Sequence, residues 1–397
     1  MTQNKTNKVS NVPLLRFPEF SGEWEKCQLQ QIASISKGSG ISKEQLSDAG
    51  EPCILYGELY TKYKSEVIDE VISKTNIDST HLIRSLKNDV IIPSSGETAI
   101  DISTARCVPY DNILLGGDLS IIRLKEQDGR FFSYQLNGVR KPDIAKVAQG
   151  VSVVHLYGDS LGKLLVSYPT LKEQYKIADF LHKLDQRIAT QIRVIDKLES
   201  LIKGIYNSIL WREYKQASLS DIFIERNERT TSNNQYEVLS STAKGLFRQA
   251  DYFDKEVASA NNVGYKVLRL GDVVLSPQNL WLGNINYNDI FEIGIVSPSY
   301  KVFSIRKQFN PYYVSCFLKT HRALYEYANA SEQGASVVRR NLDLDAFMAI
   351  TFPMPDKDIQ DSVSKKLQAI NKKLSVEKQI LDKLKEQKNY LLSQMFI

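Results

Sequence analysis

Three short patterns in this chain have residue types and spacings that could do chemistry. Gly158-Asp159-Ser160-Leu161-Gly162-Lys163 approaches a phosphate-cradling loop, but it is too short for GxxxxGK[ST] and Leu164 stands where a hydroxyl should follow. Asn310-Pro311-Tyr312-Tyr313 has the order with which adenine-methylating enzymes hold an exocyclic amine. It lacks the second proline, and no glycine-rich loop for S-adenosylmethionine precedes it. An Asn before a Pro is also a helix start, with Asn310 as N-cap and Pro311 at the first helical position. Pro355-Asp356 with Glu386-Gln387-Lys388 imitates the PD…ExK arrangement, in which carboxylates hold a divalent cation beside a lysine. Glu386, however, falls midway along a long helical pattern. HExxH and GxGxxG do not occur. No catalytic residue and no metal ligand is assigned, and the chain reads as a binding protein.

Composition narrows the class. At 397 residues the chain exceeds one ordinary core, so two or three domains are expected. Lys and Arg number 51 against 46 Asp and Glu, a mild basic excess compatible with a phosphate partner. Four scattered cysteines without a CxxC pair, and only four histidines, argue against a disulfide framework and a zinc site. No run of 18 apolar residues suggests a membrane span, and the polar start, Met1 to Asn11, has no apolar signal region. A cytoplasmic protein is expected.

Nucleic-acid binding needs cations and hydroxyls for phosphates, and amides, arginines and aromatics for bases. Candidates in the first half are Lys37, Ser39 and Lys43 in a glycine-rich loop. Tyr56, Tyr60, Lys62 and Tyr63 follow in an interleaved Tyr/Lys segment, then Ser94, Ser95 and Thr98 in a second hydroxyl-rich loop. Candidates in the second half are Lys244, Arg248 and Gln249; Gln278, Asn279, Trp281 and Asn284; Ser297, Ser299 and Tyr300; and Arg339 with Arg340. Each group could equally be half-buried strand residues and ordinary turns.

The elements that would position these residues come in two copies. QGVSVV at 149–154 returns as QGASVV at 333–338, a separation of 184 residues, and Pro169 and Pro353 keep it. The separation then becomes 186. Leu181, Leu184, Ile188, Ile195, Leu198 and Ile205 correspond to Leu367, Ile370, Leu374, Leu381, Leu384 and Leu391. These apolar steps of three and four mark two long amphipathic helices of about 40 residues, each a rod near 60 Å. So narrow a stripe asks for a helical partner. Either each rod docks on its own domain, or the two pair as an antiparallel coiled coil, which is the expectation kept. The weaker second stripe carries Lys378 and Lys388, whose stems would run along the seam's edge.

Between the repeated parts lie two payloads of about 140 residues that do not resemble one another in sequence. Both read as mixed α/β. Strands are expected at Asp89–Pro93, Ile113–Gly117, Leu119–Leu124, Asp272–Pro277 and Tyr300–Ile305, and helices at Arg130–Asn137 and Pro311–Ala328. The expected layout is a disordered tail (1–16), a first domain (17–168), a first spacer helix (169–210), a second domain (211–354) and a second spacer helix (355–397). The fold class is α+β with a pseudo-two-fold internal repeat.

The opening LLRFPEFSGEWEKCQL (Leu14–Leu29), the QG-x-SVV pair, SYPTLKEQYKIADFLHKLDQRI (Ser167–Ile188), and IDKLES with its weaker copy LDKLKE resemble the specificity subunit of type I restriction–modification systems. The resemblance spans nearly the whole chain. The second spacer departs from the pattern, since Pro355–Gln360 lacks the glutamate of the first. The resemblance implies two target-recognition domains, each reading half of a split, asymmetric DNA site. It implies spacer helices that set the gap and dock two modification (methyltransferase) subunits, joined by ATP-driven restriction subunits. S-adenosylmethionine, ATP and Mg²⁺ would then belong to the partners and none to this chain. An orphan DNA-binding scaffold is the alternative. A nuclease or methyltransferase hidden in the patterns above is a weaker one.

Overall fold

The structure, a computed structural model, describes residues 11–150, 153–210, 212–252, 261–333 and 340–397. The chain divides into two compact units, residues 1–194 with 377–397, and residues 195–376.

The first unit is built on a four-stranded antiparallel sheet in the order Ala33–Lys37, Leu119–Leu124, Asp89–Pro93, Arg106–Val108. The second has the same sheet, in the order Phe223–Arg226, Lys301–Ile305, Asp272–Leu275, Ile285–Tyr287. The two payloads, unlike in sequence, therefore share a scaffold. A cue is present in DVII at 89–92 and DVVL at 272–275, 183 residues apart. Both strands are buried on both faces, so they read as unbroken apolar runs rather than alternating ones. Val90 and Ile92 pack toward Phe131 and Phe132, while Ile91 faces Ile54 and Leu59. Val273 and Leu275 pack toward Tyr313 and Phe317, while Val274 faces Leu239 and Val296.

The turn entering each strand is repeated as well. Asn88 and Gly271 take left-handed φ of 80° and 88°. The next residue, Asp89 or Asp272, accepts the backbone N–H of Leu86 or Arg269 at 2.8 and 2.9 Å. Each buried carboxylate has an arginine beside it, Arg123 at 2.8 Å and Arg226 at 3.0 Å. Burial raises the Asp272 pKa, opposed by that N–H and by Arg226.

Around the shared sheet the units differ. The first carries an extra sheet of Leu46–Ser47, Ser73–Thr75, Glu51–Ile54 and Leu114–Leu115, with one parallel pairing, Cys53 beside Leu114. The second carries a hairpin, Leu239–Thr242 with Gly245–Arg248, and a strand pair, Lys266–Arg269 with Ile293–Val296.

After the shared sheet each unit places a helix, Gly129–Asn137 or Pro311–Phe317. Asp128 and Asn310 cap them by accepting backbone N–H groups. The helix expected over 311–328 is two helices. Thr320 interrupts it and caps His321–Asn329 through the Ala323 N–H, because a threonine side chain competes for backbone donors.

The spacer helices are Leu171–Leu210 and Lys357–Gln394. In the first unit the Gln191 amide donates to the Glu377 carbonyl at 3.0 Å, and Lys388 lies 2.5 Å from Asp185. Rising numbers meet falling ones, so the helices run antiparallel. In the second unit Ile205 and Ile209 share a core with Val363 in the same sense. None of the twelve expected seam residues is exposed. Leu181, Leu184, Ile195, Leu367, Leu384 and Leu391 are buried, and the other six are half-buried. Lys378 is exposed. Lys388 is not at the seam's edge: it is nearly buried between Glu66 and Asp185, held there by two carboxylates that a solvated position would lack.

One further device recurs. The buried Gln174 accepts the Asp128 N–H at 3.0 Å and donates to the Pro169 carbonyl at 2.8 Å. The buried Gln360 does the same with Asn310 at 2.8 Å and Pro355 at 2.8 Å. Each fastens a spacer helix to the cap of a sheet-covering helix. Glu173, absent from the second copy, pairs with Arg16 at 2.7 Å. Gln360→Ala is expected to lower stability by about 1–3 kcal/mol, because a buried N–H loses its acceptor. Urea unfolding would test this, and a change within about 0.5 kcal/mol, the scatter of a neutral substitution, would refute the fastening role.

Residues 11–16 do not belong to a disordered tail. Leu15 donates its N–H to the Gln394 carbonyl at 2.9 Å, and Arg16 is anchored on Glu173. Residues 1–10 lie outside the described residues. The chain's last residues are likewise part of a core: Met395 and Phe396 pack with Trp24 and Phe131.

Candidate nucleic-acid interface

In the first unit Lys37 ends a sheet strand and Lys43 opens the short turn Lys43–Gln45; both are exposed. Ser39, between them, is structural: its hydroxyl accepts the Ile83 N–H at 2.7 Å. Tyr56 and Tyr60 are half-buried, and burial raises the Tyr60 pKa. Lys62 is paired with Glu58 at 2.6 Å and donates to Ser73 at 3.0 Å. Three expected contacts are corrected. Tyr63 is buried, its hydroxyl accepts the Ile72 N–H, and burial pushes its pKa up to about 12. Ser94 is buried against the Ser120 hydroxyl at 2.7 Å, and Ser95 is buried in a strand bridge to His155. These side chains are buried and have no face left for a ligand. Thr98 is exposed but caps Ala99–Ile102 by accepting the Asp101 N–H.

In the second unit Lys244 is exposed in the hairpin turn. Arg248 is exposed too, paired with Glu237 at 3.0 Å and 5.8 Å from the Phe291 ring. Gln249, next to it, is half-buried and donates its N–H to the Val238 carbonyl. Gln278 is exposed, Asn279 half-buried. Asn284 is corrected: it is buried, and its side chain is engaged on both sides by Ser241, at 2.7 and 2.9 Å. Ser297 and Ser299 share a hydrogen bond at 2.9 Å, with Ser299 exposed; Tyr300 is half-buried near the Ser241 carbonyl. Two residues distant in sequence meet, since the Arg340 guanidinium lies 4.3 Å above the Trp281 ring. Arg339, the QGASVV segment over 334–338, and residues 151–152 lie outside the described residues.

The catalytic look-alikes resolve into structure. Asn310 is a helix cap whose amide donates to Asp361 at 2.6 Å. Glu386 is exposed and pairs with Lys383 at 2.7 Å, while Lys388 turns to Glu66 and Asp185. Among the described residues no group of three or more His, Cys, Asp or Glu is placed to hold a metal ion.

Sequence reasoning passed over two clefts. One, of about 760 Å³, lies in the second unit between residues 203–207 of the first spacer helix and the turn before His321; Lys203, Lys319, His321 and Arg322 line it. The other, of about 380 Å³, lies in the first unit between residues 385–392 of the second spacer helix and the turn before Lys141; Lys64, Arg106, Lys141, Lys385 and Lys388 line it. No sequence signal unites these cations, because each set comes from separate segments of the chain.

Residues 21–200 match the family model described as the type I restriction modification DNA specificity domain. The chain is similar to this family over that segment. The type I S subunit of M. genitalium has the same fold, with a TM-score of 0.63 at 16% identity, covering 97% of this chain and 99% of that one. A chain solved in work on complex assembly and conformational transition of the type I R-M system gives a TM-score of 0.51 at 14% identity, covering 95% and 98%. The family pattern read from Leu14–Leu29 and Ser167–Ile188 is thus upheld. Both neighbours extend the likeness over the second copy, beyond the segment the family model covers. In this chain, the features that recur between units are the sheet order, the capped helix and the glutamine fastening. The loops named above as candidate contacts differ.

Proposed function

We propose that this chain is the DNA-recognition subunit of a type I restriction–modification complex and performs no catalysis itself. The observation that carries the reading is one sheet scaffold built twice, with unlike loops on each copy. A duplicated scaffold presents two binding surfaces, and unlike loops let each read a different short sequence, so the site is bipartite and asymmetric. In this reading Lys37, Lys43, Lys244, Arg248, Gln278 and Ser299 are the exposed residues best placed for contact, with Arg340 held over Trp281. Phosphate contacts fix register and base contacts specify. The spacer helices set the gap between half-sites and dock two modification subunits, which restriction subunits join. S-adenosylmethionine, ATP and Mg²⁺ act on those partners, in the cytoplasm. Among the described residues no helix is long and apolar enough to cross a membrane.

The test is to coexpress the chain with its modification subunit in a methylation-free host and sequence the modified adenines. A split motif with fixed bases on each side of a constant gap is expected. A stable complex that leaves the DNA unmodified would favour an orphan scaffold. Failure to form any complex would refute the docking role of the spacers.

A further inference from the structure

We infer that each unit carries a second kind of DNA contact away from its loops: a cleft that seats backbone phosphates against a spacer helix. This rests on the DNA-recognition reading above and adds to it where the duplex backbone is gripped.

The first argument is charge. The chain as a whole is close to balanced, with 51 cationic and 46 acidic residues. The clefts are not. In the second unit Lys203, Lys319 and Arg322, with His321, face the single carboxylate of Asp289. In the first, five cations line the wall with Glu66 and Asp101, and Asp185 lies behind Lys388. A concave wall of one sign focuses its field on a counter-ion.

The second argument is what the cations are doing. Lys203, Arg322, Lys64 and Lys385 are exposed, so their charge is available to a ligand. Lys319 donates to Asn286 at 2.6 Å and to the Ala243 carbonyl at 3.2 Å, both neutral acceptors that leave its charge uncompensated. Burial lowers the pKa of Lys319 and of Lys141, as for cations kept without a paired carboxylate. Arg106, buried, donates to the Leu59 and Tyr63 carbonyls, again neutral partners. Lys388 is neutralised by Glu66 and Asp185.

The third argument is the repeat. Lys203 and Asn389 occupy equivalent spacer positions at the 186-residue separation, as do Tyr206 and Leu392. Both clefts also use the turn that follows the capped, sheet-covering helix, after Asn137 and after Phe317. The individual cations are not equivalent, but the place and the sign are. Retention of sign without retention of residue suits a sequence-independent ligand, and the phosphodiester backbone is the part of DNA common to both half-sites.

Two reversed pairs of exposed residues test the assignment in the full chain: Lys203→Glu with Arg322→Glu, and Lys64→Glu with Lys385→Glu. Binding to the cognate duplex and to a scrambled duplex is measured by anisotropy across a salt series of roughly 50 to 200 mM, with circular dichroism as a folding control. Each pair is expected to weaken both duplexes alike, by about tenfold or more at the low-salt end. Each should also flatten the slope of log K against log[salt] by about 2, since every phosphate left without its cation removes about 0.9 from that slope. Unchanged affinity and slope would overturn the cleft assignment. So would a failure of cognate discrimination at an unchanged slope, which means base reading. Intact DNA binding with release of the modification subunit would overturn it in favour of a protein partner. ATP or inorganic phosphate that competes with DNA at matched ionic strength for the native chain, but not for the variants, would overturn it in favour of a free-phosphate site. A native chain that binds no duplex would instead refute the recognition reading itself.

Discussion

Replacing Lys388 by methionine is expected to destabilise the first unit by about 3–5 kcal/mol, the usual cost of stranding buried charges by removing their partner. Lys388 bridges two acids. It contacts Glu66 and lies 2.5 Å from Asp185, and the three side chains retain 13%, 8% and 4% of their exposure. Asp185 also accepts the hydroxyl of the buried Tyr134 at 2.7 Å, so it cannot swing out to water. The substitution preserves volume and removes only the charge, which separates electrostatics from packing. Burial already raises the Glu66 pKa, with Lys388 opposing it. A raised folded pKa means that this carboxyl's stability is complete below its unfolded value and is lost as pH rises through the folded one. Removing Lys388 moves the folded value further up, so the variant's deficit should be larger near pH 8 than near pH 5. Urea titrations at the two pH values measure this. Equal deficits, or one below about 1 kcal/mol, the value of an ordinary exposed pair, would sink the idea that the lysine is there for the carboxylates.

Phe396→Ala is expected to cost about 3–5 kcal/mol, the range for emptying a buried phenylalanine site. Phe396 keeps 3% of its exposure, 6.4 Å from the Trp24 ring and 5.2 Å from Phe131. It lies beyond the end of the second spacer helix, yet it belongs to the core of the domain that begins the chain. Hydrogen exchange should therefore rise first in Gly129–Asn137, which carries Phe131. Exchange that rises only within the spacer would show that the aromatic cluster is not a structural unit. A consequence for domain exchange follows: replacing residues 17–150 alone would cut through this core, which also draws on residues 154–184 and 384–396.

Much of the architecture is legible in the sequence. The 186-residue separation predicted two equal helices, and an apolar stripe of steps three and four is the geometric signature of a helix. The strands at 89–93 and 119–124 were legible from short β-branched runs between turns. The candidate contacts were much less so. Composition cannot tell an exposed serine from a buried one, and Ser94, Ser95 and Asn284 fell on the wrong side of that distinction. The Ser94 hydroxyl and the Asn284 amide satisfy neighbours that lie 26 and 43 residues away.

By itself the amino-acid sequence determined the duplication, the spacer helices and the family pattern, because each is a matter of residue type at fixed local spacing. Only the tertiary structure decided that the two payloads are built on sheets of the same order. Strands buried on both faces constrain hydrophobicity and not identity, so the copies diverged without losing the fold. It also decided where Lys388 and the cleft cations stand. Whether a charge is exposed, paired or facing a concave wall depends on segments brought together from distant parts of the chain, and no local spacing encodes that.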